Sequence, residues 1–205
     1  SDAWFELRKN RITASVVGAI LGCSPNMTRD DAMRSMVRDA LGAEREFQGN
    51  IATEHGTYHE AGALAEYTME TGNKVQATGF HTREDWAGAS PDGLIGNAGL
   101  IEVKCPFGKR KDPAPVQFKT LDEQPHYYAQ VQFQLWVTMR DWCDFYQWAP
   151  NGTACERATP DLNWLGDNMP KLRQFYAEYL AELDAPERHF EAKRVEIDTP
   201  EAQRM

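Results

Sequence analysis

Two stretches of the chain carry side chains that could do chemistry together, Ser90-Pro91-Asp92-Gly93 and Leu100-Ile101-Glu102-Val103-Lys104-Cys105. Successive side chains of a strand point to opposite faces, so Glu102 and Lys104 share one face while Ile101, Val103 and Cys105 share the other. That predicts a polar face over an apolar one. Asp92, at the end of the preceding strand, is expected to meet Glu102 across a hairpin. Two carboxylates so placed are the hard oxygen donors that Mg²⁺ or Mn²⁺ accepts. In phosphodiester hydrolysis such metals polarise the phosphoryl oxygen, lower the pKa of a bound water and stabilise the leaving oxygen; an ammonium orients that water and offsets developing charge. Asp92, Glu102 and Lys104 are therefore the candidate catalytic residues. A lone pattern of this kind is more often a turn followed by a solvated strand face. Here apolar sequence brackets the charges on both sides, where unpaired charge is costly and metal coordination relieves the cost.

The elements that must position these residues are legible in outline. Ala14 to Leu21 reads as a short helix, with Thr13 as N-cap and Gly22 as its left-handed end. A second helix follows Thr28, with Met33, Met36, Val37, Ala40 and Leu41 as a core-facing stripe. Thr53 to Glu70 reads as a helix interrupted early by Gly56 and ended near Gly72, with Glu60 inside it. Lys74 to His81, Ala87 to Ser90 and Leu100 to Cys105 read as strands, divided by the hairpin signals Asp-Gly and Gly-Asn-Ala-Gly. After a basic, proline-rich loop from Pro106 to Pro115, Gln124 to Arg140 reads as a largely buried helix interrupted by Gln130, Gln132 and Gln134. Cys143 to Ala149 reads as a strand before an Asn151-Gly152 turn, and Leu162 to Leu183 as a long amphipathic helix. The expected architecture is an α/β or α+β sandwich, one domain over 1–183 with a polar tail or arm over 184–205.

A chain of 205 residues suits one such domain, and 41% apolar with 26% charged residues is the composition of a soluble globular protein. No apolar run reaches the roughly 20 residues of a membrane helix, and the first residues are not those of a signal peptide, so a cytoplasmic location is expected. Cys23, Cys105, Cys143 and Cys155 are scattered without a C-x-x-C pair, which argues for free thiols and against structural zinc or iron–sulfur clusters. The net charge of −9 does not by itself favour a nucleic-acid partner. Basic residues nevertheless cluster at Arg8, Lys9 and Arg11 and at Lys109, Arg110 and Lys111, and a metal-binding acidic cluster presents less negative charge than its formula.

Blocks in order along the chain resemble the PD-(D/E)XK nuclease superfamily, and specifically the lambda phage exonuclease and YqaJ-type viral recombinase family. They are Trp4 through Arg8 with Ile12-Thr13-Ala14-Ser15, Gly56 to Glu60, Ser90-Pro91-Asp92-Gly93, Glu102-Val103-Lys104-Cys105-Pro106-Phe107 and Tyr128-Ala129-Gln130-Val131-Gln132. Together they cover roughly residues 4 to 148. The resemblance implies a restriction-endonuclease-like core, a central mixed β-sheet flanked by helices. It implies two metal ions, Mg²⁺ with Mn²⁺ as substitute, held by Asp92, Glu102, the backbone carbonyl of Val103 and Glu60, with Lys104 assisting the attacking water. Arg8, Ser15 and Ser90 would hold a 5′-terminal phosphate, and Gln130 would lie by the metals or the scissile phosphate. The implied activity is 5′→3′ digestion of one strand of linear double-stranded DNA to mononucleotides, leaving a 3′ overhang for a single-strand annealing protein. A homotrimeric ring around the DNA, a phage or prophage origin in a bacterial host, and no membrane partner complete the expectation. Ile51 and Phe47 are the candidates for a wedge that splits the duplex end.

Taken without the resemblance, several of these residues have an ordinary reading. Gln130 suits a buried amide tied to backbone groups, and Ser15 a first-turn helix serine. Lys109 to Lys111 suits a solvated loop as well as a phosphate track. His55 and His59 flank Glu60 but read as hydrogen-bonded helix residues, not metal ligands. Two other functional classes use the same sequence: an endonuclease of restriction or repair type, which would cut a closed circle, and a non-catalytic DNA-end-binding module, indifferent to Mg²⁺.

Overall fold

The computed structural model describes residues 6–42 and 50–184. The Trp4 end of the first block, the wedge candidate Phe47 and the polar tail beyond Asp184 lie outside them. Eight strands are described: β1 (Ile12–Thr13), β2 (Val75–Gln76), β3 (His81–Arg83), β4 (Ala87–Ala89), β5 (Gly93–Ile95), β6 (Gly99–Lys104), β7 (Trp142–Ala149) and β8 (Gly152–Ala158). The helices are α1 (Val17–Ile20), α2 (Arg29–Ala40), α3 (Ile51–Thr71), α4 (Pro125–Thr138) and α5 (Leu162–Asp184). The strands form a mixed five-stranded sheet of order β2-β5-β6-β7-β8 and a three-stranded sheet of order β1-β4-β3.

Strand β6 is the axis of the larger sheet, antiparallel to β5 and parallel to β7. Parallel neighbours need a crossover, and α4 supplies it. Helix α3 covers one face of the sheet: its Ala63 and Tyr67 pack with Ile95, Ile101, Val103, Cys105 and Tyr146. Helix α4 covers the other, with Val131 and Leu135 against Leu100, Cys143 and Phe145. Glu102 belongs to this second face and is 3% exposed. The expected division of β6 is therefore observed, with Ile101, Val103 and Cys105 toward α3 and Glu102 and Lys104 toward α4, and both faces are covered by a helix. A third apolar cluster joins β1, β4, α1, α2, α4 and α5 through Ile12, Val17, Met36, Trp86, Phe133 and Phe175.

The local chemistry explains where the elements begin, and where the expected boundaries fail. Thr28 and Asp31 form a reciprocal capping box at the start of α2. Asn50 caps α3, and Gly72 closes it at φ 74°. Gly56 does not interrupt α3; a mid-helix glycine costs only about 1 kcal/mol, which the packed face downstream outweighs. The expected helix from Ala14 is instead a 3₁₀ turn, Ala14–Val16, followed by α1, and the Thr13 side chain does not cap it. Thr13 is held in extended backbone by its pairing with Gly88. Leu41 ends α2 half-exposed, outside the core stripe.

The expected strand over Lys74 to His81 divides between the two sheets, β2 joining β5 and β3 joining β4. Asp92-Gly93 is likewise not a hairpin. There the chain leaves β4 in one sheet and enters β5 in the other. Glycine is required at 93 by close approach, since a Cβ would stand 2.2 Å from Val75 Cγ1. The hairpin proper turns at Gly96, φ 53°, between β5 and β6.

Candidate active site

The carboxyl half of β6 delivers Glu102 and Lys104 to the same side, beneath α4. Glutamines four residues apart share one helix face, and Gln130 and Gln134 meet the strand there. Lys104 Nζ donates to Glu102 Oε1 at 2.7 Å and to Gln130 Oε1 at 3.2 Å. Gln130 Nε2 donates to Glu102 Oε1 at 2.8 Å, and Gln134 Nε2 to Glu102 Oε2 at 2.8 Å. The ring of Tyr127 lies 4.6 Å from the ammonium. Glu102 is thus a buried carboxylate gripped by one cation and two amides.

Asp92 reaches the same place by a different route. Its backbone N–H donates to Ile101 O at 3.2 Å, extending the β5–β6 ladder, and its Oδ2 accepts from Val103 N at 2.6 Å. Burial, then the charge of Glu102, pushes its carboxyl up to about 8. Burial alone would lower the Lys104 pKa, but the Glu102 carboxylate outweighs it and holds the ammonium above its ordinary value. Glu60, exposed on α3, is raised by desolvation and then by the charge of Glu102. The three acids therefore feel one another.

Among the described residues no three His, Cys, Asp or Glu side chains gather into a ready-made metal site. Glu60 is accordingly coupled to Asp92 and Glu102 by charge and is not drawn in beside them as a closed ligand set. The donor chemistry nevertheless fits a hard divalent cation. Two carboxylates face a single ammonium in a desolvated position, and the charge of Glu102 adds to burial in raising the Asp92 carboxyl. A strand residue's N–H and C=O lie on one edge, so the Val103 carbonyl lies on the edge that Asp92 occupies.

The remaining expected residues are placed by the smaller sheet. Strands β1 and β4 run parallel, with Thr13 beside Gly88, and Ser15 and Ser90 follow their carboxyl ends. Ser15 is exposed in the 3₁₀ turn, its Oγ 3.3 Å from Thr13 Oγ1. Arg8 extends over the ring of Phe80, 6.0 Å from its centroid, and that ring packs where a Cβ on Gly88 would stand. Arg8, Ser15 and Ser90 thus border the β1–β4 end, and Ser90 leads through Pro91 directly to Asp92. Gln132 does not join them. It ties α4 to the β8–α5 connection, donating to Thr159 O and accepting from Asp161 N. Lys109 pairs with Asp112, and Arg110 donates to Phe107 O, so this basic loop is partly tied to itself. Asp112, at the end of that loop, also holds the β7–β8 turn by accepting from Asn151.

Gln134 and Tyr127 were not singled out by the sequence. The signal for Gln134 was present: with Gln130 it makes the i, i+4 pair that aims two amides at one strand. Its Oε1 is buried with no hydrogen-bond partner. No such signal marks Tyr127, whose place above Lys104 depends on how α4 crosses the sheet.

Residues 3–141 match the profile of the YqaJ-like viral recombinase domain. Among solved structures, the alkaline exonuclease LHK-Exo from Laribacter hongkongensis is similar at 30% identity and a TM-score of 0.73, over 95% of this chain and 100% of that one. LHK-Exo in complex with dAMP gives a TM-score of 0.75 at the same identity and coverage. A phage related exonuclease from Haemophilus somnus 129PT shares the fold at 17% identity and a TM-score of 0.66, over 89% of this chain and 98% of that one. An uncharacterized protein of Acanthamoeba polyphaga mimivirus is 29% identical over 163 residues, 72% of this chain, and the chain spans only 28% of that protein's length.

Proposed function

This chain belongs to the YqaJ-like viral recombinase domain family, and on that premise we propose that it is a divalent-metal-dependent deoxyribonuclease of the PD-(D/E)XK type. It digests double-stranded DNA 5′→3′ from the end, releasing mononucleotides and leaving a 3′ overhang. The observation that carries the reading is the convergence of Asp92, half-buried just before β5, and the buried Glu102 of β6 beside one ammonium, Lys104.

Asp92, Glu102 and the Val103 carbonyl would hold Mg²⁺ or Mn²⁺, with Glu60 near enough to add charge. The ion supplies Lewis-acid polarisation of the phosphate and a water acidified enough to attack. Lys104 carries a fixed positive charge beside the attacked phosphorus and orients the attacking oxygen through its N–H groups. Gln130 and Gln134 hold Glu102 so that neither carboxylate oxygen can swing away, the preorganisation on which such a site depends. Arg8 offers a planar fork of donors to a terminal phosphate, and Ser15 and Ser90 add hydroxyl donors at the β1–β4 end. End specificity follows from that anchor. Release of a mononucleotide accords with the dAMP complex of LHK-Exo, and the ring of three subunits and the annealing partner rest on the family resemblance.

End-labelled linear duplex and closed circles, incubated with and without Mg²⁺ and sized, test the proposal. Metal-dependent mononucleotides from the 5′ end with intact circles are expected. Cut circles would identify an endonuclease, and no cleavage in either condition a binding module.

A further inference from the structure

Beside the acidic centre, rings collect on a part of the surface that the cleavage chemistry does not use. His59, immediately before Glu60 on α3, stacks on Trp148 of β7 at 4.8 Å and 26°. Tyr58 meets His59 edge-on at 4.9 Å and is itself 81% exposed. His55 lies 4.3 Å from His59 and 5.5 Å from Phe107, which sits in the turn just after Lys104. The guanidinium of Arg110 lies over Phe107 at 3.5 Å. Trp148 is held in place by its indole N–H, which donates to Glu66.

Tyr58 stands exposed while His55, His59, Trp148 and Phe107 are half-buried, which leaves a continuous, partly uncovered aromatic border. Three of these features select the covering group. The rings meet one another edge-on or stacked, so a further flat ring continues the same contacts. Arg110, its guanidinium over Phe107, places positive charge along the same border. Both ends of the ledge touch the site's own sequence, His59 at Glu60 and Phe107 just past Lys104. Flat rings with π-faces, attached to a chain of negative charges that passes the acidic centre, are the bases of a nucleic acid strand.

The geometry points to Tyr58, His59, His55, Trp148, Phe107 and Arg110 as a stacking ledge for unpaired nucleobases of the DNA held at the site. This rests on the nuclease reading for the identity of the strand. A ledge of this kind binds any base sequence, because every base has a π-face. It would keep the strand near the acidic centre unpaired by giving its bases a surface to leave the helix for.

The test uses the full chain carrying Lys104→Ala, to bind without cutting, and single strands with 2-aminopurine at successive positions. Matched strands with abasic nucleotides serve as controls. Stacking quenches 2-aminopurine, so quenching at one or more positions is expected. Tyr58→Ala and Phe107→Ala should relieve it and weaken binding on the order of tenfold per ring. Tyr58→Phe should keep both, and abasic strands should bind parent and variants alike. Binding and quenching unchanged by the alanine variants, or equal losses on base-containing and abasic strands, overturn the ledge. Cleavage of linear duplex by the wild-type chain is measured in parallel. Cutting by the wild type with unaffected variants overturns the ledge alone. No cutting, with base-dependent binding through Tyr58, overturns the nuclease reading and leaves the ledge as a DNA-binding surface.

Discussion

Replacing Lys104 by methionine keeps the length of the side chain and removes only the charge and its donors. Glu102, 3% exposed, then loses the ammonium at 2.7 Å and retains the two glutamine amides at 2.8 Å. Removing one partner of a fully buried ion pair costs about 3–5 kcal/mol. The Lys104 side chain is 21% exposed, and both amides remain, which reduces the expectation to about 2–3 kcal/mol. For a chain of this size each kcal/mol moves Tm by about 2–4 °C, so Lys104→Met should melt roughly 4–12 °C below wild type without metal. Saturating Mg²⁺ should narrow the gap, because a cation bound only by the folded state stabilises it and neutralises the carboxylate left unpaired. Cleavage should be abolished while DNA binding survives, since the lysine serves the reaction more than the ground state. Thermal melts with and without Mg²⁺, combined with cleavage and binding assays on the same preparation, read all three quantities. A variant that melts with wild type, or that turns over near the wild-type rate, would refute the reasoning.

Arg8→Ala should chiefly erase discrimination between 5′-phosphate and 5′-hydroxyl ends; unchanged discrimination in a competition digest removes Arg8 from the phosphate anchor. Gly93→Ala puts a methyl group where Val75 Cγ1 stands 2.2 Å away and should cost about 1–3 kcal/mol in a denaturant melt, with a further loss of cleavage because Asp92 is displaced. A wild-type melting curve would contradict the close approach. Asp31 is held down to about 2 by the Thr28 hydroxyl first and its N–H next. A carboxyl with a depressed folded pKa adds stability above its unfolded value near 4, and that stability is lost as pH falls toward 2. Thr28→Ala should therefore flatten the acid loss of stability between about pH 4 and 2, and equal slopes in the two proteins would remove the capping box as its cause.

The sequence by itself determined the residue types and the local elements. Alternation placed Glu102 and Lys104 on one side of a strand, because the period of a strand is fixed by its backbone. Thr28 and Gly72 marked helix ends through the chemistry of capping, whereas the Asn50 cap lies three residues before the start expected at Thr53. The Gln130 and Gln134 pair is readable from helical spacing. Only the tertiary structure decided what each of these faced. Two sheets, not one, receive the strands around Asp92, so the acid meets β6 across the β5–β6 hairpin as expected but stands where the chain crosses from one sheet to the other. The face bearing Glu102 is covered by α4, whose Gln130 and Gln134 amides grip the buried carboxylate. Tyr127 and Trp148 take their meaning from neighbours far away in the chain, Lys104 for the one and His59 and Glu66 for the other. Periodicity records the direction a side chain leaves its own backbone; what it meets depends on long-range packing, which short-range preferences do not encode.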